Sequence, residues 1–192
     1  MSPSTPHRRF AAAILGTAAM FAACTEAEPL GVEGRELSTD AVIATSVVPD
    51  LGQCSNLQAP AGTRLVSQTY ARGVQIYRWD GAAWVFVAPS ARLSADAQGK
   101  SKVGAHYAGP TWESNSGSKV VAAVIDRCTP DAGAIPWLSL GAVSSQGPGI
   151  FHRVTFIQRL NTTGGNAPSA PGSFVGQMTE VPYTAEYYFY RN

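Results

Sequence analysis

The chain is predicted to fold as a single all-β domain, an antiparallel β-sandwich or barrel with long loops, and three observations carry that prediction. From Arg64 onward, short runs of β-branched and aromatic residues alternate with turn residues. No segment repeats apolar residues at i, i+3, i+4, i+7 for more than about two turns, the pattern an amphipathic helix needs. The 19 glycines and 13 prolines fall between the runs rather than within them, and they exceed the combined share of about 12% usual in globular proteins. Seven or more short strands at this spacing point to a sandwich or a barrel.

The chain begins with a different signal. Arg8 and Arg9 precede an uncharged apolar run from Phe10 to Ala23, which falls short of the roughly 20 residues a bilayer-spanning helix needs. Residues 1–23 therefore read as an export signal. Phe21-Ala22-Ala23-Cys24 is similar to the bacterial lipobox. The expectation is cleavage before Cys24, acylation of its thiol and membrane lipid as a partner. Thr25, rather than Asp, points to an outer-membrane lipoprotein on the periplasmic or cell-surface side; free secretion is the alternative. Residues 24–53 open with Glu, Pro and Gly and read as a flexible tether, in which Ala41–Val48 could add an edge strand. The all-β domain spans residues 54–192.

Within the domain, Gly73–Trp79 and Ala83–Ala88 flank Asp80-Gly81 and read as a hairpin, since Asp-Gly tolerates the positive φ of tight turns. Pro89 is expected to end the second strand, because it lacks the amide hydrogen a ladder needs. Lys119–Ile125, Trp137–Val143, Phe151–Leu160 and Tyr183–Tyr190 are further strand runs. In the last, Tyr183, Ala185, Tyr187 and Phe189 share one face, expected to pack inward, while Thr184, Glu186, Tyr188 and Tyr190 share the other. Asn161–Gly172 reads as a long turn-rich loop.

Three cysteines are an odd number. Lipidation of Cys24 leaves Cys54 and Cys128 as an even pair, which in an oxidising compartment is expected to form a disulfide; two buried free thiols are the alternative. The signal holds two of the 14 Lys and Arg and none of the 13 Asp and Glu, so the mature chain keeps twelve basic against thirteen acidic residues, a balance of −1. Without a basic run there is no electrostatic footprint for nucleic acid.

Several longer motifs carry a resemblance. Gly73-Val-Gln-Ile-Tyr-Arg78, Trp84-Val-Phe-Val-Ala-Pro89, Val103-Gly-Ala-His-Tyr-Ala-Gly-Pro-Thr-Trp-Glu113, Ile135-Pro-Trp-Leu138, Thr163-Gly-Gly165 and Val181-Pro-Tyr-Thr-Ala-Glu-Tyr-Tyr-Phe-Tyr190 follow one another in that order. Over roughly Ala59–Tyr190 the chain resembles an exported family of bacteria and filamentous fungi catalogued as domain of unknown function 3455. The resemblance implies no particular chemistry. Some fungal members carry a malate dehydrogenase label, but the chain has neither a Gly-x-Gly-x-x-Gly turn nor βαβ alternation to seat a nicotinamide cofactor, and no cofactor is expected. Members of the family often carry a cysteine where this chain has Trp79, and another within the stretch read here as Gly172-Ser-Phe174. The Cys54–Cys128 pair could replace that missing bridge.

The segment richest in chemistry is His106-Tyr-Ala-Gly-Pro-Thr-Trp-Glu113. A Gly-Pro bend there could fold His106 toward Glu113, orienting the imidazole and raising its basicity. The plainer alternative has His106 bonded within a turn and Trp112 in the core. No Gly-x-Ser-x-Gly elbow and no His-Glu-x-x-His spacing occurs, so neither a serine nucleophile nor a metal site is expected. Trp84 and Trp137 begin apolar runs and read as core plugs. Arg78, Gln158 and Arg159 lie in strand patterns and could reach a cleft. The expected function is a cell-envelope binding or interaction module with a pocket of His106, Tyr107, Trp112, Glu113 and Arg159, taking a small polar molecule, a glycan or an envelope protein. The alternatives are a hydrolase using His106 and Glu113, or a surface protein with no small-molecule site.

Overall fold

The computed structural model describes residues 48–192, which form eight strands and one 3-10 turn at Ser55–Leu57. The strands are β1 (Arg64–Trp79), β2 (Trp84–Ser94), β3 (Lys102–Tyr107), β4 (Thr111–Ser114), β5 (Lys119–Cys128), β6 (Trp137–Gln146), β7 (Phe156–Gly164) and β8 (Met178–Arg191). Each pairs antiparallel with its chain neighbours, and β8 lies between β7 and β1, so the all-β sheet closes into a barrel whose strand order is the chain order. Closure leaves no unpaired edge to template aggregation. The export signal, the lipobox with Cys24, and the tether and candidate strand as far as residue 47 lie outside the described residues.

The interior follows from the two-residue period of a strand. Tyr183, Ala185, Tyr187 and Phe189 of β8 face inward and meet Trp112 from β4, Leu93 from β2, Leu140 from β6 and Ile157 from β7. Small residues make room for these rings. Ala71 and Ala91 are buried on the facing strands, and a Cβ on Gly73 would overlap the backbone of Ser90 and Ala91. Alternating large and small side chains is how a narrow barrel is filled, and each fully buried large apolar side chain contributes about 1.5–3 kcal/mol.

The two ends of the barrel differ. At one end the β6–β7 connection folds back and buries Phe151 and Val154, with the Phe151 ring 4.6 Å from that of Phe189. Ser118 Oγ accepts the Phe151 amide hydrogen there, so the plug meets a polar anchor as well as rings. The opposite end carries the β1–β2, β3–β4, β5–β6 and β7–β8 connections and stays open.

A second apolar cluster lies outside the barrel. Residues 48–63 run across the outer face of β7 and β8, where Leu51, Cys54 and Leu57 pack on Phe156, Leu160, Tyr188 and Tyr190. Gln158, also outward, is buried beneath this strap: its Nε2 donates to Leu57 O (2.7 Å) and its Oε1 accepts from the Tyr190 hydroxyl (2.6 Å). The strap is tied down covalently by the expected disulfide between Cys54 and Cys128, whose Cα atoms are 5.6 Å apart. Its packed part starts before Cys54, because Leu51 is buried and its carbonyl accepts the Cys54 amide hydrogen. It also covers the Tyr188 and Tyr190 side of β8, which alternation alone would assign to water.

The expected membrane-lipid partner is corrected by the same bond. Cys54 and Cys128 are joined within the chain, so neither is a free thiol for lipid attachment. Cys24 lies outside the described residues, and membrane lipid is withdrawn as a partner.

Local readings change in instructive ways. Pro89 does not end β2; the strand continues to Ser94 with Pro89 opposite Gln75. The register shifts beside it, between Ile76 and Tyr77, and a bulge is where a missing amide hydrogen costs least. The β1–β2 turn spans four residues: Asp80 Oδ1 accepts the amide hydrogens of Ala82 and Ala83 (2.8 Å each), and only Gly81 takes positive φ. Phe151 belongs to the plug rather than to β7, which instead runs on to Gly164. Trp79 lies against Gly172, where an added Cβ would come within 2.5 Å of the indole Cγ. The two regions that the family resemblance marks for cysteines are thus neighbours, bridged here by packing.

The disulfide closes a separation of 74 residues. Replacing both cysteines by Ser is expected to lower the unfolding free energy by about 2–4 kcal/mol, read as a shift of the urea midpoint. An unchanged midpoint would mean the strap holds without its covalent tie.

Candidate functional site

The turn between β3 and β4 sets the geometry of the site. Tyr107 pairs with Thr111, leaving Ala108-Gly109-Pro110 as a three-residue connection in which Gly109 takes φ +86°. Glycine supplies the left-handed position such hairpins require, and the Thr111 hydroxyl donates to Ala108 O (3.0 Å). This register brings His106 opposite Trp112 and Ala105 opposite Glu113. Alternation then divides the segment: His106 and Trp112 point into the barrel, and Tyr107 and Glu113 point out.

The inner pair is almost completely enclosed, with His106 3% and Trp112 1% exposed. Their rings stack at 4.3 Å and 15°, and the edge of Tyr187 meets both. His106 Nδ1 lies 2.9 Å from Thr111 O. A carbonyl can only accept, so Nδ1 carries the hydrogen and Nε2 keeps its lone pair. Burial pushes the His106 pKa down to about 3, against the opposing effect of the Thr111 bond and with a smaller contribution from the Arg159 charge. The ring is neutral at neutral pH.

The outer pair does something else. The Tyr107 hydroxyl donates to Glu113 Oε2, which also pairs with Lys119 Nζ at 3.2 Å. The Tyr107 bond, more than the Lys119 contact, holds the Glu113 carboxyl below its usual range. This is a solvated surface cluster. Of the expected pocket residues His106, Tyr107, Trp112, Glu113 and Arg159, the structure brings His106, Trp112 and Arg159 to one cavity and leaves Tyr107 and Glu113 on the outer face, and His106 and Glu113 form no dyad because adjacent strand positions face opposite sides.

His106 and Trp112 instead floor a cavity of about 420 Å³ at the open end of the barrel. Its walls include Phe86, Val87, Pro110, Val124 and Leu138, while Gln75, Tyr187 and Arg159 reach in from β1, β8 and β7. Arg159 was legible as a candidate and does enter the cavity; Gln158 next to it faces outward under the strap. The Arg159 guanidinium donates through Nε (3.2 Å) and Nη2 (2.7 Å) to Pro136 O, which braces the β5–β6 connection. Trp84 and Trp137 are not plugs of the interior. Trp84 donates its indole hydrogen to Ala170 O (2.8 Å) on the β7–β8 loop, and Trp137 packs with the outer cluster.

Sequence reasoning did not find Gln75, Tyr183 or Tyr187 as site residues. Three residues that line the cavity hold a buried polar atom with no hydrogen-bond partner, Gln75 Nε2, Trp112 Nε1 and Tyr187 Oη; Tyr183 Oη is a further such atom in the interior. Burial raises the pKa of both phenols, with the Arg159 charge opposing it in each case. Each such unpaired atom costs roughly 1–3 kcal/mol in a folded interior, so three around one cavity call for an explanation. The period-two pattern of β8 placed both tyrosines inward; what it lacked was which residues they would meet.

The β7–β8 connection crosses this end on Gly164 and Gly165, both at positive φ. The Gly165 amide hydrogen is accepted by Pro182 O, and Tyr77 donates its hydroxyl to Gly165 O (2.7 Å). A Cβ on Gly165 would approach Tyr183, Ile135 and Gln75 at 2.9–3.1 Å, so the glycine lets backbone pass close over the site.

His106 makes stability pH-dependent. Its folded pKa is depressed to about 3 from 6.5, so the unfolded chain binds the extra proton first as pH falls. Its contribution is complete above pH 6.5 and is lost on acidification toward pH 3, at a limit of about 1.4 kcal/mol per pH unit. Between pH 6.5 and 5.5, above the carboxylate range, the urea midpoint of the wild type is expected to fall and that of His106→Asn to stay nearly level. Equal slopes would mean the imidazole titrates freely in the folded protein.

A family model described as a protein of unknown function, DUF3455, matches residues 60–191, from the end of the strap through all eight strands. No curated protein and no solved structure gives a match. The match covers more than half of the sequence, and the chain belongs to the DUF3455 family.

Proposed function

We propose that this protein is a binding barrel that holds one small, largely apolar molecule in the cavity at its open end, and that it works outside the cytoplasm. The observation that carries the reading is the set of unpaired buried polar atoms on an otherwise apolar site, Gln75 Nε2, Trp112 Nε1 and Tyr187 Oη among them. Thr69 Oγ1 and Arg191 Nε are unpaired elsewhere in the barrel, but three of the unpaired atoms belong to residues around this one cavity. Eight-stranded barrels have an interior just wide enough for side chains or for a single small ligand, and about 420 Å³ falls in the ordinary range of ligand pockets. The export reading is supported by the basic-then-apolar leader and by the Cys54–Cys128 bond, which is typical of oxidising compartments.

No observation favours the hydrolase alternative. It needed His106 beside Glu113, and Glu113 is engaged with Tyr107 and Lys119 on the other face of the sheet.

The test uses the uncharged fluorescent probe N-phenyl-1-naphthylamine. Wild-type protein is expected to bind it at one site with enhanced emission and to show quenched tryptophan fluorescence. Leu138→Trp and Val124→Trp, which enlarge side chains on the cavity wall, are expected to abolish binding in at least one folded variant. No saturable binding to the wild type, or binding unaffected by wall variants that fold normally, would overturn the proposal.

A further inference from the structure

We propose that the ligand of this cavity is an apolar molecule bearing one anionic group, a carboxylate or its like, seated against Arg159 with its apolar body toward Phe86, Val87 and Val124. This inference rests on the binding reading above and adds the charge and orientation of what is bound.

Three observations carry it. The charged residues lining the cavity are Arg159 and, at its rim, Arg127; no Asp or Glu lines it. The one ion pair among the described residues, Lys119–Glu113, is elsewhere, so neither arginine has a carboxylate partner within the described chain. Arg159 reaches inward, where it donates to the neutral Pro136 carbonyl and lies close to the Tyr187 hydroxyl, and a guanidinium has five N–H donors. Arg159 is only half-buried, so its remaining donors stay available to a ligand that enters the cavity.

The unpaired neighbours point the same way. Gln75 Nε2 and Trp112 Nε1 can only donate, and the Tyr187 hydroxyl can donate. These donors lie just beneath the surface of a cavity that also holds a cation, and an oxyanion, whose two or three oxygens accept several hydrogen bonds at once, is the group that such a set suits. A cationic ligand would meet repulsion, and a neutral one would leave the guanidinium uncompensated. His106 Nε2 carries a lone pair and offers an oxyanion no hydrogen, so the anionic group is placed at Arg159 and not over the imidazole.

The apolar half of the ligand is fixed by the walls. Phe86 and Val87 are each about half exposed, and Val124 is 41% exposed, at the same end of the barrel. Phe86 stands edge-on to Tyr77 at 5.8 Å, so a ring entering the mouth meets a flat aromatic surface.

The experiment compares two probes that share an anilinonaphthalene body and differ in charge, 8-anilinonaphthalene-1-sulfonate and N-phenyl-1-naphthylamine, titrated by fluorescence at low salt against folded wild type. The anionic probe is expected to bind at least about tenfold more tightly, the ratio of one charge-assisted contact. Arg159→Gln is expected to erase that ratio, and Arg159→Lys to keep part of it. Melting curves of both variants show whether losing the Pro136 brace unfolds the β5–β6 connection. The wild-type ratio decides the inference even if Arg159→Gln fails to fold. Equal affinity for the two probes, or an anionic preference that survives in a folded Arg159→Gln, overturns the anion assignment and leaves the binding reading standing. Failure of both probes to bind overturns the two together.

Discussion

A closed barrel of eight strands has a fixed interior, and the side chains that face it must either fill that space or leave room for something else. Here the inward row of β8 sets the terms. Tyr183, Ala185, Tyr187 and Phe189 project into the barrel from a strand hydrogen-bonded on both sides. Near the plugged end Phe189 meets Phe151 and Trp112, and the space is filled by rings packed at ordinary distances. Toward the open end Tyr183 and Tyr187 carry hydroxyls into the interior close to each other and to Arg159, without a well-formed hydrogen bond. The same row thus builds a dry core at one end and a polar-floored cavity at the other.

The strap of residues 48–63 lets the sheet keep apolar residues on part of its outer surface. Phe156, Leu160, Tyr188 and Tyr190 would otherwise face water on β7 and β8. Covering them gives those strands burial on both sides, which stiffens the wall from which Arg159 and Tyr187 reach inward. The disulfide joins that strap to the end of β5, beside the connection that Arg159 braces at Pro136. Stability and site are therefore coupled through the same stretch of chain.

Much of the fold was legible because period and turn chemistry are local. The inward and outward rows of β8, the β1–β2 hairpin, and the pairing of Cys54 with Cys128 all follow from residues a few positions apart or from counting. Closure was not legible, since the β1–β8 ladder joins Arg64 to Arg191 across the whole domain and nothing local specifies it. Pro89 misled for a similar reason: its missing hydrogen is tolerated by a bulge that only the partner strand reveals. The site was half legible. Residue types in His106–Glu113 suggested a cluster, but the three-residue turn at Gly109 fixed a register that sends alternate residues to opposite faces. Applying the two-residue period to that segment, as for β8, would have separated His106 from Glu113. Gln75 and Tyr183 carried no signal beyond facing inward.

The account turns on Trp112 Nε1–H, a buried donor without an acceptor in the free protein. Its indole resonance can be followed by two-dimensional NMR alongside those of Trp79, Trp84 and Trp137, with Trp84 as an internal standard already bonded to Ala170 O. On saturation with 8-anilinonaphthalene-1-sulfonate, the account predicts that the Trp112 indole proton moves downfield into the hydrogen-bonded range while the Trp84 signal stays in place. A Trp112 signal unmoved by a saturating ligand, or one already in the bonded range before any is added, would contradict it.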